Sequence, residues 1–596
     1  MNQPSLGLLE KLRPPVGFRT EAVLGTTYSA DLLACMAVLT TMDGGEGEQV
    51  RYGRVEAYRA LDRLRDRIRI YHNLGCLSRR DGLKYPSLAM LDRVLVPVSV
   101  PGTGSFHPKV WLVRQLGQSG EDRYVLIVSS RNVTTSTDWD FGIVIHGSVG
   151  GRGVPLPRLR AFTEYVTALG GDAAHLQLFG ALDGVRWELP RGVEELSFDF
   201  QVGTDGPRHL HLAWDSFPSR PSELLLLSPF IDGRMVGEAA KRWGAVEKQR
   251  LVAGTEGLST VALGSYRDEL RTLNPSQLTA AAELGTDREA DSGERSEEEE
   301  EQTRALHAKV IVLTERRKTT VVIGSNNLTG NGWCGGSTEA FVRLRGDISL
   351  AEALWEWAHG QARSFDFPES GTPVPTRPPI DEEAERLRSV RFRLEELAPD
   401  QVARLALVEP EVLGLAKDMR LDVCRYTTPG EIASFSPGAD SVSLPGCKRA
   451  LRTRFIVCTL HHGDEQVAWT TQVEAVPPLD DQRDRELVAQ LLGPRDFLAY
   501  LQSLRSAEAL VGPTEGDEES DQFAPGQERS GHPQGRLSLE GLLRQLAEEP
   551  TAFAEMDQAI RRYGDLIKSS PLADDERSVF VEFMDAWSVI REASAT

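Results

Sequence analysis

Two stretches of this 596-residue chain carry the same ordered set of side chains, and that duplication constrains the fold more than any other feature. The second copy, Leu306 to Gly346, has His307 and Lys309 at the head of an apolar run. A turn and a second apolar run, Thr319 to Ile323, lead into Gly324-Ser325-Asn326-Asn327, and Glu339 follows. The first copy, Phe106 to Gly147, has His107 and Lys109, then Ser130-x-Asn132, then Asp140. Its DFGIVIHG (Asp140 to Gly147) aligns without a gap with EAFVRLRG (Glu339 to Gly346). Side chains two apart on a strand share a face. Each copy therefore predicts an imidazole and an ammonium pointing the same way, beside an amide at the end of the neighbouring strand.

The doubled His-x-Lys, Gly-Ser-x-Asn, Glu pattern resembles the phospholipase D superfamily, whose two motifs, one per lobe, surround a single active site. The resemblance covers residues 18 to 365. One departure is the aspartate that the family carries five residues after each lysine: Arg114 and Thr314 stand there. Its absence from both copies is reminiscent of the tyrosyl-DNA phosphodiesterase branch and of nuclease-like members. Ser129 also replaces the glycine that the second motif has at Gly324. The resemblance implies an α/β fold of two similar phospholipase D-like lobes, each a mixed sheet flanked by helices. We expect lobe 1 at 1–200 and lobe 2 at 201–370, then an accessory α+β domain at 371–480 and a helical C-terminal region at 481–596.

The rest of the chain reads consistently with that layout. Ala22 to Thr27 is an expected strand, and Ser29 to Met42 a helix capped by Ser29 or Asp31. Arg54 to Tyr71 has apolar residues at helical spacing. The run Arg51, Arg54, Arg59, Arg63, Arg65, Arg67 and Arg69 is either a solvated helix face or a flank for a polyanion. Leu91 to Val100 is an expected strand, with Pro97 marking a sheet edge; Pro155 to Leu169 reads as a covering helix. The second lobe opens near Arg208, where RHLHLAW reads as a strand with His209 and His211 on one face. Glu223 to Ile231 is a buried strand corresponding to the Ala22 strand. Residues 286–303 are acidic and without periodicity, the pattern of a disordered insertion and, by hypothesis, of a lid that repels nucleic acid. Ser349-x-x-Glu352 opens a helix as a capping box, and prolines at 373, 375, 378 and 379 mark a linker. Arg454 to Val476 alternates like a β-hairpin about Gly463-Asp464. Residues 511–535 read as a disordered linker. Phe580, Phe583, Met584, Trp587 and Ile590 form an apolar helical stripe.

Composition excludes some classes. No apolar run is long enough for a membrane span, and the first 20 residues lack the apolar block of a signal peptide. Six scattered cysteines lack metal-ligand spacing and suit a reducing, cytoplasmic setting. A net charge of −21 argues against a uniformly basic nucleic-acid binder, but not against a local basic groove.

The duplicated residues suit phosphodiester chemistry. One neutral imidazole can attack phosphorus while the other protonates the leaving oxygen and then activates water; an unperturbed pKa of about 6.5 fits both tasks. Lys109, Lys309, Asn132 and Asn327 would bind the non-bridging oxygens. Asp140 and Glu339 would fix the imidazole tautomers. Ser130 and Ser325 are expected at the substrate, and Trp139 and Trp333 either in the core or stacked on a base. The resemblance implies His107 as nucleophile, His307 as acid, and no cofactor or metal. It further implies a metal-independent phosphodiesterase, and our expectation is a DNA or RNA nuclease, in a bacterial restriction or anti-phage system, partnered by nucleic acid and by a protein such as a helicase. The alternatives are a phospholipase or phosphatidyl transferase, and a non-catalytic nucleic-acid-binding subunit.

Overall fold

The computed structural model describes residues 7–44, 54–78, 86–102, 104–204, 209–280, 304–369, 378–396, 400–409, 413–492, 494–503, 550–568 and parts of 580–591. The acidic insertion, the linker prolines at 373 and 375, and 511–535 lie outside them.

The first lobe opens with α1 (Leu8–Leu12), β1 (Phe18–Thr27), β2 (Ala30–Asp31) and α2 (Leu32–Met42). Asp31 is the cap: its carboxylate accepts from the N–H groups of Leu33 and Ala34. Next, α3 (Arg54–Leu64) gives way to β3 (Ile68–Asn73). The single helix expected through Tyr71 is therefore cut short, because from Ile68 onward the chain pairs in parallel with β1. The arginines of that stretch brace the lobe: Arg67 meets Glu21 at 2.5 Å and Arg69 meets Asp172 at 2.7 Å. After β4 (Leu77–Ser78), β5 (Leu95–Val98) takes the sheet edge, where the missing Pro97 N–H does no harm. Then come β6 (Val110–Gly117), β7 (Asp122–Ser129), β8 (Gly142–Val149), α4 (Pro157–Leu169) and β9 (Val185–Trp187). The sheet runs β5-β3-β1-β6-β7-β8-β9.

The second lobe starts earlier than 201. Its first strand is β10 (Val193–Gln201), which pairs along its length with the last strand of the second motif. The order continues with β11 (Glu223–Ser228), α5 (Gly233–Trp243), β12 (Lys248–Gly254), β13 (Pro275–Leu278), β14 (Val310–Glu315), β15 (Lys318–Gly324), β16 (Glu339–Asp347), a helix over Ser349–Gln361, and β17 (Arg363–Ser364). The inner order β13-β12-β11-β14-β15-β16 repeats β5-β3-β1-β6-β7-β8, with the same parallel and antiparallel pairings. Two local expectations change. His209 and His211 are not on a strand; His211 precedes a 3-10 turn, Leu212–Ser216, and its ring accepts from Ala213 N–H. Ser349 does not cap its helix: it is the first helical residue, and Asp347 accepts from its backbone N–H at 2.9 Å.

The two sheets share one core. Leu24, Val110, Leu112 and Leu126 of the first pack in the same cluster as Leu225, Val310, Val312 and Val342 of the second, with Phe162 of α4 and Trp357 between them. Burial of such side chains is the main force joining the lobes.

Beyond the lobes, β18 (Phe392–Glu395), β19 (Ala403–Leu407), β20 (Met419–Arg425), β21 (Ala433–Phe435), β22 (Ser441–Leu444), β23 (Phe455–His462), β24 (Glu465–Gln472) and β25 (Glu474–Val476) form two sheets. The hairpin turns at Gly463-Asp464, where Gly463 has φ 59°. This region groups with the lobes into one compact unit. The reason is shared structure: β24 pairs with β4, β4 pairs with β2, and the Gln472 amide donates to the carbonyls of Asp92 and Leu95. A second unit comprises residues 49–59, 448–452 and 479–596. Its helices include Asp481–Leu491, Pro494–Ser503 and Pro550–Lys568. Phe497 packs against Tyr500, Tyr563 and Phe580 there, so Phe580 of the apolar stripe is core. No helix among the described residues is long and apolar enough to cross a membrane.

Candidate active site at the seam between the lobes

Each motif builds half a site in the same way. Thr27 closes β1 and Ser228 closes β11, and each hydroxyl donates to the carbonyl two residues on, 2.6 Å in both cases. Each hydroxyl then accepts from the N–H of the residue after the motif asparagine, Val133 at 3.0 Å and Leu328 at 2.8 Å. Asp31 and Asp232 follow four residues later and cap α2 and α5. This scaffold fixes Asn132 and Asn327 at the ends of β7 and β15. The Asn132 carbonyl oxygen accepts from Tyr28 N–H at 3.2 Å.

The two halves are stitched by reciprocal backbone bonds. His107 N–H donates to Thr338 O at 3.0 Å, and His307 N–H donates to Trp139 O at 3.0 Å. Thr338 N–H donates to Ser105 O at 2.9 Å, and Trp139 N–H to Ala305 O at 2.8 Å. The residues that follow Thr338 and Trp139 are the motif carboxylates. Each histidine is thereby set beside the carboxylate of the other lobe. His107 Nδ1 lies 2.9 Å from Glu339 Oε2, and His307 Nδ1 lies 2.7 Å from Asp140 Oδ1. A carboxylate only accepts, so Nδ1 carries the proton and, in the neutral ring, Nε2 carries the lone pair.

Burial alone would raise the Asp140 carboxyl. The hydrogen bond and charge of His307, the Ser130 hydroxyl and the charge of Lys309 outweigh it and hold the group below the ordinary carboxylate range. Asp140 is thus an anion built to stabilise an imidazolium. The lysines are deeply enclosed, at 1% and 2% exposure for Lys109 and Lys309. Each ammonium donates to the carbonyl of the histidine two residues before it, at 3.0 Å and 2.8 Å. Two buried cations, two oriented imidazoles and two amides at one seam can bind a phosphoryl anion and shuttle a proton across it.

Eight expected site residues are brought together here: His107, Lys109, Asn132, Asp140, His307, Lys309, Asn327 and Glu339. One expectation is corrected and another decided. Ser130 and Ser325 are fully buried and turn their hydroxyls onto Asp140, at 2.6 Å, and Glu339; they orient the carboxylates and do not face substrate. Trp333 is 2% exposed and packs against Trp214, Phe217 and Phe341, so it is core and offers no stacking face. Trp139 is not its counterpart; it precedes Asp140 as Thr338 precedes Glu339, stays half-buried against Trp357, and has the Arg304 guanidinium 5.1 Å above its ring.

Arg114 and Thr314, which stand five residues after the two lysines, lie up their strands. Arg114 forks onto Asp122 with two bonds of 3.0 Å, and Thr314 meets Thr319. Sequence reasoning missed Tyr28, whose ring is 5.2 Å from that of His107 and 5.8 Å from the Lys109 ammonium. It also missed Arg131. Both were within reach: Thr27-x-x-x-Asp31 and Ser228-x-x-x-Asp232 are a further duplicated signature, whose first copy brackets Tyr28, and Arg131 is the residue between Ser130 and Asn132.

No protein-family model matches the chain, and no curated protein matches it. Solved structures do. The chain is similar to the yeast tyrosyl-DNA phosphodiesterase at 13% identity and a TM-score of 0.35, over 56% of this chain and 84% of that one. It is similar to a polyphosphate kinase from Porphyromonas gingivalis (12%, TM-score 0.33, 62% and 51%) and to a phosphatidylserine synthase from Haemophilus influenzae (11%, TM-score 0.33, 64% and 88%). At these scores the chemistry of the site rests on its own geometry.

Proposed function

We propose that this chain is a metal-independent phosphodiesterase acting on DNA or RNA through a phosphohistidine. What supports the reading is the reciprocal pairing of each motif histidine with the opposite motif's carboxylate. In the first step Nε2 of His107 attacks phosphorus, the bond to the leaving oxygen breaks, and His307 Nε2–H gives that oxygen its proton. In the second, His307 takes a proton from water, the water oxygen attacks phosphorus, and the phosphorus–nitrogen bond breaks. Lys109, Lys309, Asn132 and Asn327 hold the non-bridging oxygens throughout. We place the activity in restriction or anti-phage defence, with a helicase-type protein as partner.

The test is cleavage of labelled single-stranded DNA, duplex DNA and RNA in excess EDTA. We expect cutting of at least one, abolished by His107→Ala and by His307→Ala. Headgroup release from phospholipid vesicles with all three nucleic acids untouched would refute it. So would histidine variants that cut normally.

A further inference from the structure

Among the charged residues that differ between the two half-sites, one touches a motif carboxylate. Arg131 stands between Ser130 and Asn132, where the second motif has Asn326. Its Nη1 lies 3.5 Å from Asp140 Oδ2, the carboxylate oxygen opposite the one that receives His307. Its Nη2 donates to the carbonyls of Thr134 and Ser136, at 3.3 Å and 2.6 Å, which hold the guanidinium in place. Asn326 instead turns its amide away from Glu339, donating to Gly332 O at 2.7 Å. The Asp140 carboxylate is thus faced by His307, Ser130 and Arg131, with the charge of Lys309 acting on it. Asp138, two residues away, accepts from Ala305 N–H and pairs with Ser136, and Arg304 lies over Trp139. The Glu339 carboxylate is faced by His107 and Ser325, with Tyr28 beside the His107 ring and the Lys109 ammonium 5.8 Å from the Tyr28 ring.

We propose that Arg131 is a positioning residue that sets the direction of the reaction, by drawing on the Asp140 carboxylate and so making His307 the stronger acid of the two imidazoles. The inference rests on the phosphohistidine reading above and deepens it. Both histidines have a carboxylate partner, so the carboxylates alone do not distinguish donor from nucleophile. A cation on the far oxygen of one carboxylate does. It weakens that anion's hold on an imidazolium proton, which suits the ring that must give a proton to the leaving group. The other ring keeps its undivided carboxylate and is the more basic nucleophile. Arg131 is 30% exposed, so solvent screens part of its effect. A change of about one pH unit on removing it is expected, at the low end for a charge this close.

The test reads the rings directly. Histidine-selective carbon-13 NMR titration of the full chain compares wild type with Arg131→Gln and Arg131→Lys, the two rings being assigned through His107→Asn and His307→Asn. Arg131→Gln should raise the His307 midpoint by about one unit and leave His107 in place. Arg131→Lys keeps the charge and loses the loop carbonyl bonds, so it should stay near wild type. Unmoved midpoints in Arg131→Gln, or equal shifts of both rings, overturn the proposal whether or not the protein cuts nucleic acid. In a kcat/KM–pH profile, the basic limb should move up in Arg131→Gln while the acid limb stays. Movement of the acid limb instead would assign the opposite direction and refute the inference, with the phosphodiesterase reading intact.

Discussion

Glu339→Gln is the substitution that most directly tests the crossed pairing. Glutamine keeps the shape and removes the charge that faces His107 Nδ1 at 2.9 Å. Glu339 is 2% exposed and His107 4%, so water does little to screen the pair. Unit charges about 4 Å apart at an effective dielectric of about 20 interact by about 4 kcal/mol, which is on the order of 1000-fold in rate. The amide also has a donor to offer Nδ1, which favours the unreactive tautomer, as an Asp→Asn change does in a serine-protease triad. The loss should follow the opposite lobe's chemistry. With a p-nitrophenyl phosphodiester, whose leaving group needs no proton, rapid-quench trapping should find no phosphoenzyme in Glu339→Gln or in His107→Ala. Asp140→Asn, which disables the His307 ring, should form the phosphoenzyme and fail to hydrolyse it. The crossed assignment is refuted if Glu339→Gln keeps its rate within about tenfold of wild type, or if it accumulates the intermediate and Asp140→Asn does not.

Three further outcomes follow from the same geometry. Gly104→Ala should destabilise the seam and depress activity, because a Cβ there would lie 1.6 Å from Gly336 O, backbone against backbone; a cost at or above the usual overpacking range of about 1–3 kcal/mol is expected in urea titrations, and a wild-type midpoint would contradict it. Asp232→Ala removes acceptors for Met235 N–H and Gly330 N–H and should cost about 1–2 kcal/mol, measured the same way. Burial pulls the His175 imidazole down to about 4, against its hydrogen bond to Val23 O. The unfolded chain takes up that proton below about pH 6.5 while the native state resists until about pH 4, so the contribution, about 3 kcal/mol, is full above pH 6.5 and is lost as the pH falls to 4. His175→Gln should flatten the urea midpoint across that window, and an unchanged slope would count against the argument.

Much of the fold was legible because it is written twice. The strand before each motif, the motif hairpin and the carboxylate strand all alternate or run apolar, and their repetition predicts two sheets of one topology. Local signals held where short-range physics decides: Asp31 as a cap, Pro97 at an edge, Gly463-Asp464 as a turn. They failed where the partner is distant. Ile68 to Tyr71 fits a helix by period, yet β1 claims it as a strand. Val193 to Gln201 adjoins the first lobe in sequence, but β16 offers it a full ladder of hydrogen bonds.

The site divides in the same way. Sequence alone picked out the eight side chains that gather at the seam, since residue type and spacing set what an imidazole, an ammonium or a carboxylate is able to do. It did not determine which carboxylate serves which histidine, and proximity along the chain pairs them wrongly. That choice belongs to the tertiary structure: the segments 105–107 and 305–307 lie against 338–339 and 139–140 of the opposite lobe, and only there does each imidazole find its acceptor. Docking two lobes through one core, with backbone bonds that cross the seam, turns two incomplete halves into one centre.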